Sequence, residues 1–212
     1  MLKLVLKNKI ITTLFILLLS INCRAENILN FPSYPSGPIV LKDSRIVVTG
    51  DSFAGKFCEF EKDKDLIIFP HARAGQTIDQ NKIIMAQALN YNIKNVLISI
   101  GVNDQFMETP PYRFEYVLRS LLNISLYNNK NVYFHSYLKY FSNVYNVKRF
   151  SAQEYDLIIK RLCDEYANAY YIDVSDLEKP IYISDDNIHY NLMFYDELYN
   201  RLINLIHQLE KS

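Results

Sequence analysis

Short runs of apolar residues, many of them β-branched, recur along the chain from about residue 45 onward. Five such runs are Arg45–Thr49, Asp65–Phe69, Lys94–Ile100, Asn131–His135 and Tyr170–Val174. Continuous apolar runs of this length, several of them stopped by glycine or proline, are typical of strands that are buried on both faces. The pattern therefore predicts five interior strands.

Between these runs, apolar residues recur at helical spacing. Helices are predicted over Thr77–Asn90, Phe114–Asn128, a stretch that opens at Ser151, and Leu192–Leu209. Ser151 and Glu154 form a capping box, in which the two side chains accept hydrogen bonds from free backbone N–H groups at a helix start. Strands and helices are thus expected to alternate along the chain.

This alternation predicts a fold of the α/β class. It favours a parallel sheet with helices on both faces. At this chain length we expect a flavodoxin-like three-layer α/β/α sandwich with a five-stranded parallel sheet in the order 2-1-3-4-5. Functional residues in such sheets lie at the carboxyl ends of the strands. Candidate site residues are therefore expected directly after strands.

The first 25 residues differ in kind from the rest. Three lysines precede an apolar run, and the small residues Cys23 and Ala25 occupy the positions that a signal peptidase reads. The proline-bearing stretch that follows is expected to be a loop. The predicted organisation is a secretory signal peptide at 1–25, a lead-in at 26–43 and a single domain at 44–212.

An uncleaved membrane anchor is the alternative for the N-terminal segment, because residues 2–6 lengthen its apolar stretch. The main run is shorter than the roughly 20 residues that a membrane helix needs. Export would make the protein secreted, periplasmic or extracellular, and a membrane partner is expected only if the segment is retained. Removing it leaves 19 basic against 23 acidic residues, a balance that speaks against a nucleic-acid partner.

Two cysteines, Cys58 and Cys163, lie outside the predicted signal. Cys58 follows the first strand, and Cys163 lies in the helix before the fifth. In the order 2-1-3-4-5 these two helices occupy opposite faces of the sheet. A disulfide needs Cα atoms within about 7 Å, so no Cys58–Cys163 bond is expected.

A serine and a histidine with an acidic neighbour stand out as candidate catalytic residues. Ser52 follows the first strand in Gly-Asp-Ser, and its hydroxyl becomes a useful nucleophile only when a base takes its proton. Asp186 precedes His189 by three residues, a spacing that lets the carboxylate fold back on the imidazole and fix its tautomer. A capping serine and an incidental surface histidine are the structural alternatives.

Two further candidates follow the second and third strands. Gly75 would offer a backbone N–H to an oxyanion with no side chain in the way, and Asn103 would offer its side-chain amide. A glycine turn and an Asx turn are the ordinary explanations. Their common position after strands favours one site at one edge of the sheet.

Together these motifs resemble the SGNH (GDSL-like) hydrolase family, over Arg45 to the last helix. The Gly-Asp-Ser, Gly-x-Asn-Asp and Asp-x-x-His blocks match closely, and the block around Gly75 matches more loosely. The family's marker residues correspond to Ser52, Gly75, Asn103 and His189, with Asp186 as the partner of His189.

The resemblance implies a two-step acyl transfer that needs no cofactor and no metal. Ser52, His189 and Asp186 would form the catalytic triad, while Ser52, Gly75 and Asn103 would form the oxyanion hole. The expected substrate is a short acyl ester, such as an acetyl ester, on a small molecule or a carbohydrate. A polysaccharide O-acyltransferase, a lipase or lysophospholipase, and a non-catalytic binding module on the same fold remain alternatives.

Overall fold

A computed structural model describes residues 39–40, 45–60, 66–68, 75–136, 150–185 and 189–211. The predicted signal peptide and most of the lead-in lie outside these ranges. The strands are β1 (Ile39–Val40), β2 (Ile46–Gly50), β3 (Leu66–Ile68), β4 (Asn95–Ser99), β5 (Asn131–His135) and β6 (Ala169–Ile172). The helices are α1 (Ser52–Phe60), α2 (Ile78–Ala88), α3 (Val102–Phe106), α4 (Pro111–Tyr127), α5 (Ala152–Glu165) and α6 (Leu192–Lys211), with 3₁₀ turns at Ser175–Leu177 and Pro180–Tyr182.

The strands form one sheet in the order β1-β3-β2-β4-β5-β6. Strands β2 to β6 pair in parallel, and their order is the predicted 2-1-3-4-5. The predicted five-stranded parallel sheet and α/β fold are therefore confirmed. Each helix that the sequence predicts is also present, and Ser151 with Glu154 forms the expected capping box at the start of α5.

The sheet carries one strand that the sequence analysis did not predict. Ile39 and Val40, within the stretch expected to be a loop, pair antiparallel with residues 67 and 68 of β3. An edge strand forms ladder hydrogen bonds on one side only, so it tolerates a neighbouring proline such as Pro38. The expectation of an irregular lead-in was therefore wrong at these two residues.

Side chains that alternate along the strands separate two cores. Val47 faces the core under α2, α4 and α5, whereas Ile46 and Val48 face the core under α1 and α6. This two-residue period is the one that a pleated strand imposes. Helices α1 and α5 therefore lie on opposite faces, as expected for the two cysteines. Cys163 packs against the core under α2, α4 and α5 and has no disulfide partner among the described side chains. The side chain of Cys58 lies outside them, so the absence of a Cys58–Cys163 bond stays a prediction.

Gly50 lies at the carboxyl end of β2, where the backbone approaches β4 most closely. Its φ is +141°, and a Cβ built on it would lie 1.8 Å from the carbonyl oxygen of Ser99. The next residue donates its N–H to that same oxygen at 2.9 Å. Only glycine satisfies both the backbone angle and the contact, so the turn after β2 is held tightly against β4.

Gly50→Ala should lower the free energy of unfolding by about 2–4 kcal/mol, because the added methyl overlaps the Ser99 carbonyl. Gly75→Ala is the matched control. Gly75 also has positive φ, at +81°, but a Cβ built there meets no atom of the described residues within 4 Å, so only about 1 kcal/mol of backbone strain is expected. Urea unfolding of both variants measures the difference. Equal losses would contradict the close approach at Gly50.

Candidate active site

Ser52 and His189 meet at the carboxyl edge of the sheet. Ser52 is the first residue of α1, and its Oγ lies 3.0 Å from Nε2 of His189. The imidazole also packs against Phe53, with ring centroids 5.2 Å apart. Although 137 positions separate them in the chain, the two predicted residues form the hydrogen-bonded serine–histidine pair that nucleophilic catalysis needs.

Asp51 holds the first turn of the helix that carries Ser52. Its Oδ1 accepts the backbone N–H of Phe53 at 2.9 Å, and its own N–H donates to the Ser99 carbonyl at 2.9 Å. The side chain is fully buried. Asp51 is thus the N-cap of α1, and it joins that helix to β4.

Burial raises the pKa of the Asp51 carboxyl to about 8, an effect that outweighs the lowering by the Phe53 N–H hydrogen bond. The negative charge of Asp104 raises this pKa further. At neutral pH the carboxyl is therefore mainly protonated, and it caps the helix as a neutral group.

An antiparallel bridge fixes the position of His189. Ile183 pairs with Tyr190, and Ser184 donates its N–H to the His189 carbonyl at 2.9 Å. Asn191 strengthens this pairing, because its side-chain amide donates to the carbonyl of Ile181 at 2.6 Å. The histidine is therefore held by backbone pairing directly before α6.

Asn103 supplies an amide at the same edge. It lies in the first turn of α3, a short helix that Gly101 introduces with a φ of +123°. The side-chain nitrogen of Asn103 is buried and, among the described residues, has no hydrogen-bond partner. A buried amide without a partner can donate a hydrogen bond to a negative charge that develops only during a reaction.

The next residue, Asp104, anchors the start of α2. Both of its oxygens accept the backbone N–H of Ile78, at 3.0 and 3.2 Å. Burial raises the pKa of this carboxyl to about 7, against the opposing hydrogen bonds from Thr109 and Ile78. Asp104 therefore connects the start of α2, which follows Gly75, to the first turn of α3, which carries Asn103.

Gly75 lies in an exposed turn two residues before Thr77, the N-cap of α2. Its φ of +81° explains why the position is glycine. Within the described part of the chain, no atom lies within 4 Å of the position that a Cβ on Gly75 would occupy. Asp186, the predicted partner of His189, lies outside the described residues, so its role stays a prediction.

Asp51 and Asp104 belong to the Gly-Asp-Ser and Gly-x-Asn-Asp motifs, but the sequence indicates no role for either. Their roles depend on burial and on backbone partners far along the chain. In the described parts of the chain, no group of three or more His, Cys, Asp or Glu side chains is arranged to hold a metal ion. The same ranges contain no helix long and apolar enough to cross a membrane.

No protein-family model and no curated protein sequence matches this chain. Solved structures do match. A GDSL-like lipase from Bacteroides thetaiotaomicron superimposes with a TM-score of 0.64 at 18% identity, over 79% of this chain and 89% of its own. The chain has the SGNH hydrolase fold.

Two esterases share this SGNH fold at lower similarity. A psychrotrophic esterase from Pseudoalteromonas sp. matches with a TM-score of 0.58 at 15% identity, over 78% of this chain and all of its own. An acetylxylan esterase from Geobacillus stearothermophilus matches with a TM-score of 0.57 at 15% identity, over 78% of this chain and 94% of its own. At such identities the likeness establishes the architecture of the SGNH fold.

Asp51→Asn should change how stability depends on pH. A carboxyl whose pKa is raised on folding, here from 3.8 to about 8, stabilises the native state fully below about pH 4 and loses that contribution as pH rises through 8. The asparagine variant, which cannot ionise, should therefore lose less stability than the wild type between pH 5 and 8.

Urea unfolding at several pH values measures this dependence. Asp164→Asn, on the exposed surface of α5, is the matched control and should follow the wild-type curve. Parallel curves for wild type and Asp51→Asn would show that Asp51 is ionised in the folded protein and would contradict the prediction.

Proposed function

We propose that this protein is a serine esterase in which Ser52 is the nucleophile and His189 is the general base. The observation that carries the proposal is the 3.0 Å contact between Ser52 Oγ and His189 Nε2 at the start of α1. Esterases and lipases with the same fold support it. We further propose that Asp186 accepts the Nδ1–H of His189 and so fixes the tautomer in which Nε2 is free to accept a proton.

The reaction proceeds in two steps. His189 Nε2 takes the hydroxyl proton as Ser52 Oγ bonds to the ester carbonyl carbon, and the carbonyl oxygen becomes an oxyanion. The protonated His189 then gives its proton to the leaving alcohol, and the acyl group stays on Ser52. In the second step His189 removes a proton from water, whose oxygen attacks the acyl carbon, and Ser52 leaves with the returned proton.

The proposed oxyanion hole consists of the backbone N–H groups of Ser52 and Gly75 and the amide of Asn103. The N–H of Ser52 belongs to the first turn of α1, where helix N–H groups favour negative charge. Asn103 has a buried amide nitrogen without a hydrogen-bond partner in the described ranges. The Asp104–Ile78 hydrogen bond supports a fixed spacing between the Gly75 and Asn103 segments.

A short acyl ester is the proposed substrate, and more specifically a short acyl ester carried by a carbohydrate. Among the described residues, the exposed apolar side chains that closely follow Asn103 in the chain are Phe106 and Met107, which are 48% and 62% exposed. A matching esterase acts on acetylxylan according to its name. An acyltransferase, a lipase or lysophospholipase, and a binding module on the same fold are the competing functions.

The proposal includes export of the mature chain from about Glu26 onward, with residues 1–25 removed as a signal peptide. The basic start, the apolar run and the small residues at Cys23 and Ala25 support it. N-terminal sequencing of protein from the native source tests this part. A membrane-bound chain that keeps Met1 would instead favour the N-terminal anchor.

Ser52→Ala and His189→Ala should each reduce esterase activity to near background while the protein stays folded, because each removes one partner of the 3.0 Å contact. Asn103→Ala should lower kcat by about 100-fold, the usual effect of losing one oxyanion donor. Turnover of p-nitrophenyl acetate and labelling by a fluorophosphonate measure activity and active serine separately.

Ser120→Ala is the matched control, because that serine lies on α4, where its exposed hydroxyl donates to the carbonyl of Tyr116 one helical turn earlier. It should retain wild-type activity and labelling. Wild-type turnover by Ser52→Ala would overturn the assignment of the nucleophile. A wild-type protein that is neither labelled nor active would favour the binding-module alternative.

The specificity constant kcat/KM should be highest for short acyl chains and should not rise with chain length. If little apolar surface covers the acyl group, each added CH₂ should fail to contribute the roughly 0.8 kcal/mol that full burial would give. We therefore expect kcat/KM on p-nitrophenyl esters to be highest at acetate or butyrate. A steady rise toward palmitate would favour the lipase alternative.

A further inference from the structure

His135 forms a second serine–histidine contact at the edge of the sheet that carries Ser52. It ends β5, and its Nε2 lies 2.8 Å from Oγ of Ser99, the last residue of the neighbouring strand β4. Ser99 is buried and is therefore not an accessible nucleophile. The esterase mechanism uses neither side chain, so this contact needs another explanation.

The hydrogen bonds define the state of His135. Nδ1 lies 3.0 Å from the carbonyl oxygen of Ser136, and because a carbonyl only accepts, Nδ1 carries a proton. Burial lowers the pKa of the ring, which favours the neutral form. Nε2 is then an acceptor, and the Ser99 hydroxyl donates to it. The contact thereby fixes the orientation of Ser99.

One route from His135 leads to the nucleophile. The carbonyl oxygen of Ser99 accepts the N–H of Asp51 at 2.9 Å, and it lies where a Cβ on Gly50 would be. No free space separates these backbones, so a displacement of Ser99 is transmitted to Asp51 and from there to Ser52.

A second route leads from His135 to the base. Its ring faces the edge of Phe194 with centroids 6.5 Å apart, and Phe194 stacks on Tyr190 at 4.0 Å. Tyr190 follows His189 directly and forms the antiparallel bridge with Ile183. One route therefore leads to Ser52 and the other to His189, the two residues of the 3.0 Å contact.

We propose that His135 is a positioning residue that sets the separation of Ser52 Oγ and His189 Nε2 through Ser99 on one side and Phe194 on the other. This inference rests on the proposed esterase function for its kinetic consequence, but its geometric consequence does not depend on activity. His135 holds the carboxyl ends of β4 and β5 in the register that keeps the reacting atoms 3.0 Å apart.

His135→Phe and Ser99→Ala test the proposal from both ends of the hydrogen bond. The phenylalanine keeps a ring beside Phe194 but cannot accept from Ser99, and the alanine removes the donor. Each should lower kcat about ten-fold or more with KM within about two-fold, since small misplacements of reacting groups reduce rates strongly. The double variant should lose no more than either single variant, because both remove the same interaction.

His135→Gln and His207→Phe are the matched controls. Glutamine keeps an acceptor for the Ser99 hydroxyl, so His135→Gln should have a higher kcat than His135→Phe. A role of His135 in packing alone would not predict this difference. His207 lies on the exposed surface of α6, and its replacement by phenylalanine should leave kcat and the midpoint of urea unfolding unchanged.

Crystal structures of wild type and Ser99→Ala measure the geometric effect, and this measurement does not require enzymatic activity. The Ser52 Oγ–His189 Nε2 distance should stay near 3.0 Å in the wild type and lengthen in the variant. Folded variants with wild-type kcat, or losses that add in the double variant, would overturn the positioning role. If His135→Phe does not fold, Ser99→Ala decides the question.

A wild-type protein that reacts with no ester and no fluorophosphonate would refute the esterase function. The comparison of the two Ser52 Oγ–His189 Nε2 distances would still decide the role of His135.

Discussion

The contact between the ends of β2 and β4 is the constraint on which the rest of the site depends. Gly50 has no side chain, so its backbone approaches the Ser99 carbonyl closely enough for Asp51 to donate its N–H to that oxygen. This arrangement ends β2 and starts α1 within two residues, which puts Ser52 in the first turn of a helix at the sheet edge. Any larger residue at position 50 would separate the two strand ends and move the serine.

Two buried carboxyl groups, both with raised pKa values, complete this edge. Asp51 caps α1, and Asp104 accepts the first N–H of α2. A helix N-terminus favours a negative charge, but burial opposes ionisation more strongly in both cases. With a pKa of about 8, Asp51 is mainly neutral at pH 7 and caps α1 without a full negative charge beside Ser52, whereas Asp104, with a pKa of about 7, is partly ionised. His189 is the side chain whose ring nitrogen contacts Ser52 Oγ.

His189 reaches Ser52 from a segment 137 positions further along the chain. An antiparallel bridge between Ile183 and Tyr190 lies beside His189, whose ring centroid is 5.2 Å from that of Phe53. The Phe53 ring in turn packs against Tyr190 with centroids 5.8 Å apart. Phe53 directly follows Ser52, so this aromatic cluster links the helix that carries Ser52 to the segment that carries His189. The serine–histidine contact is thus supported on both sides by packing that belongs to the core under α1 and α6.

The sequence by itself predicted the alternation of strands and helices, the parallel order of five strands, and Ser52 and His189 as candidate partners, which the structure brings to 3.0 Å. Local patterns carry this information, because apolar runs, capping boxes and short motifs are read within a few residues. Tertiary structure alone decided the pairing of Ile39 and Val40 with β3, the anchoring of α2 by Asp104, and the contact of His135 with Ser99. Each of these joins residues that lie 26 or more positions apart. No local pattern encodes such a partner, since the partner becomes a neighbour only when the sheet has formed.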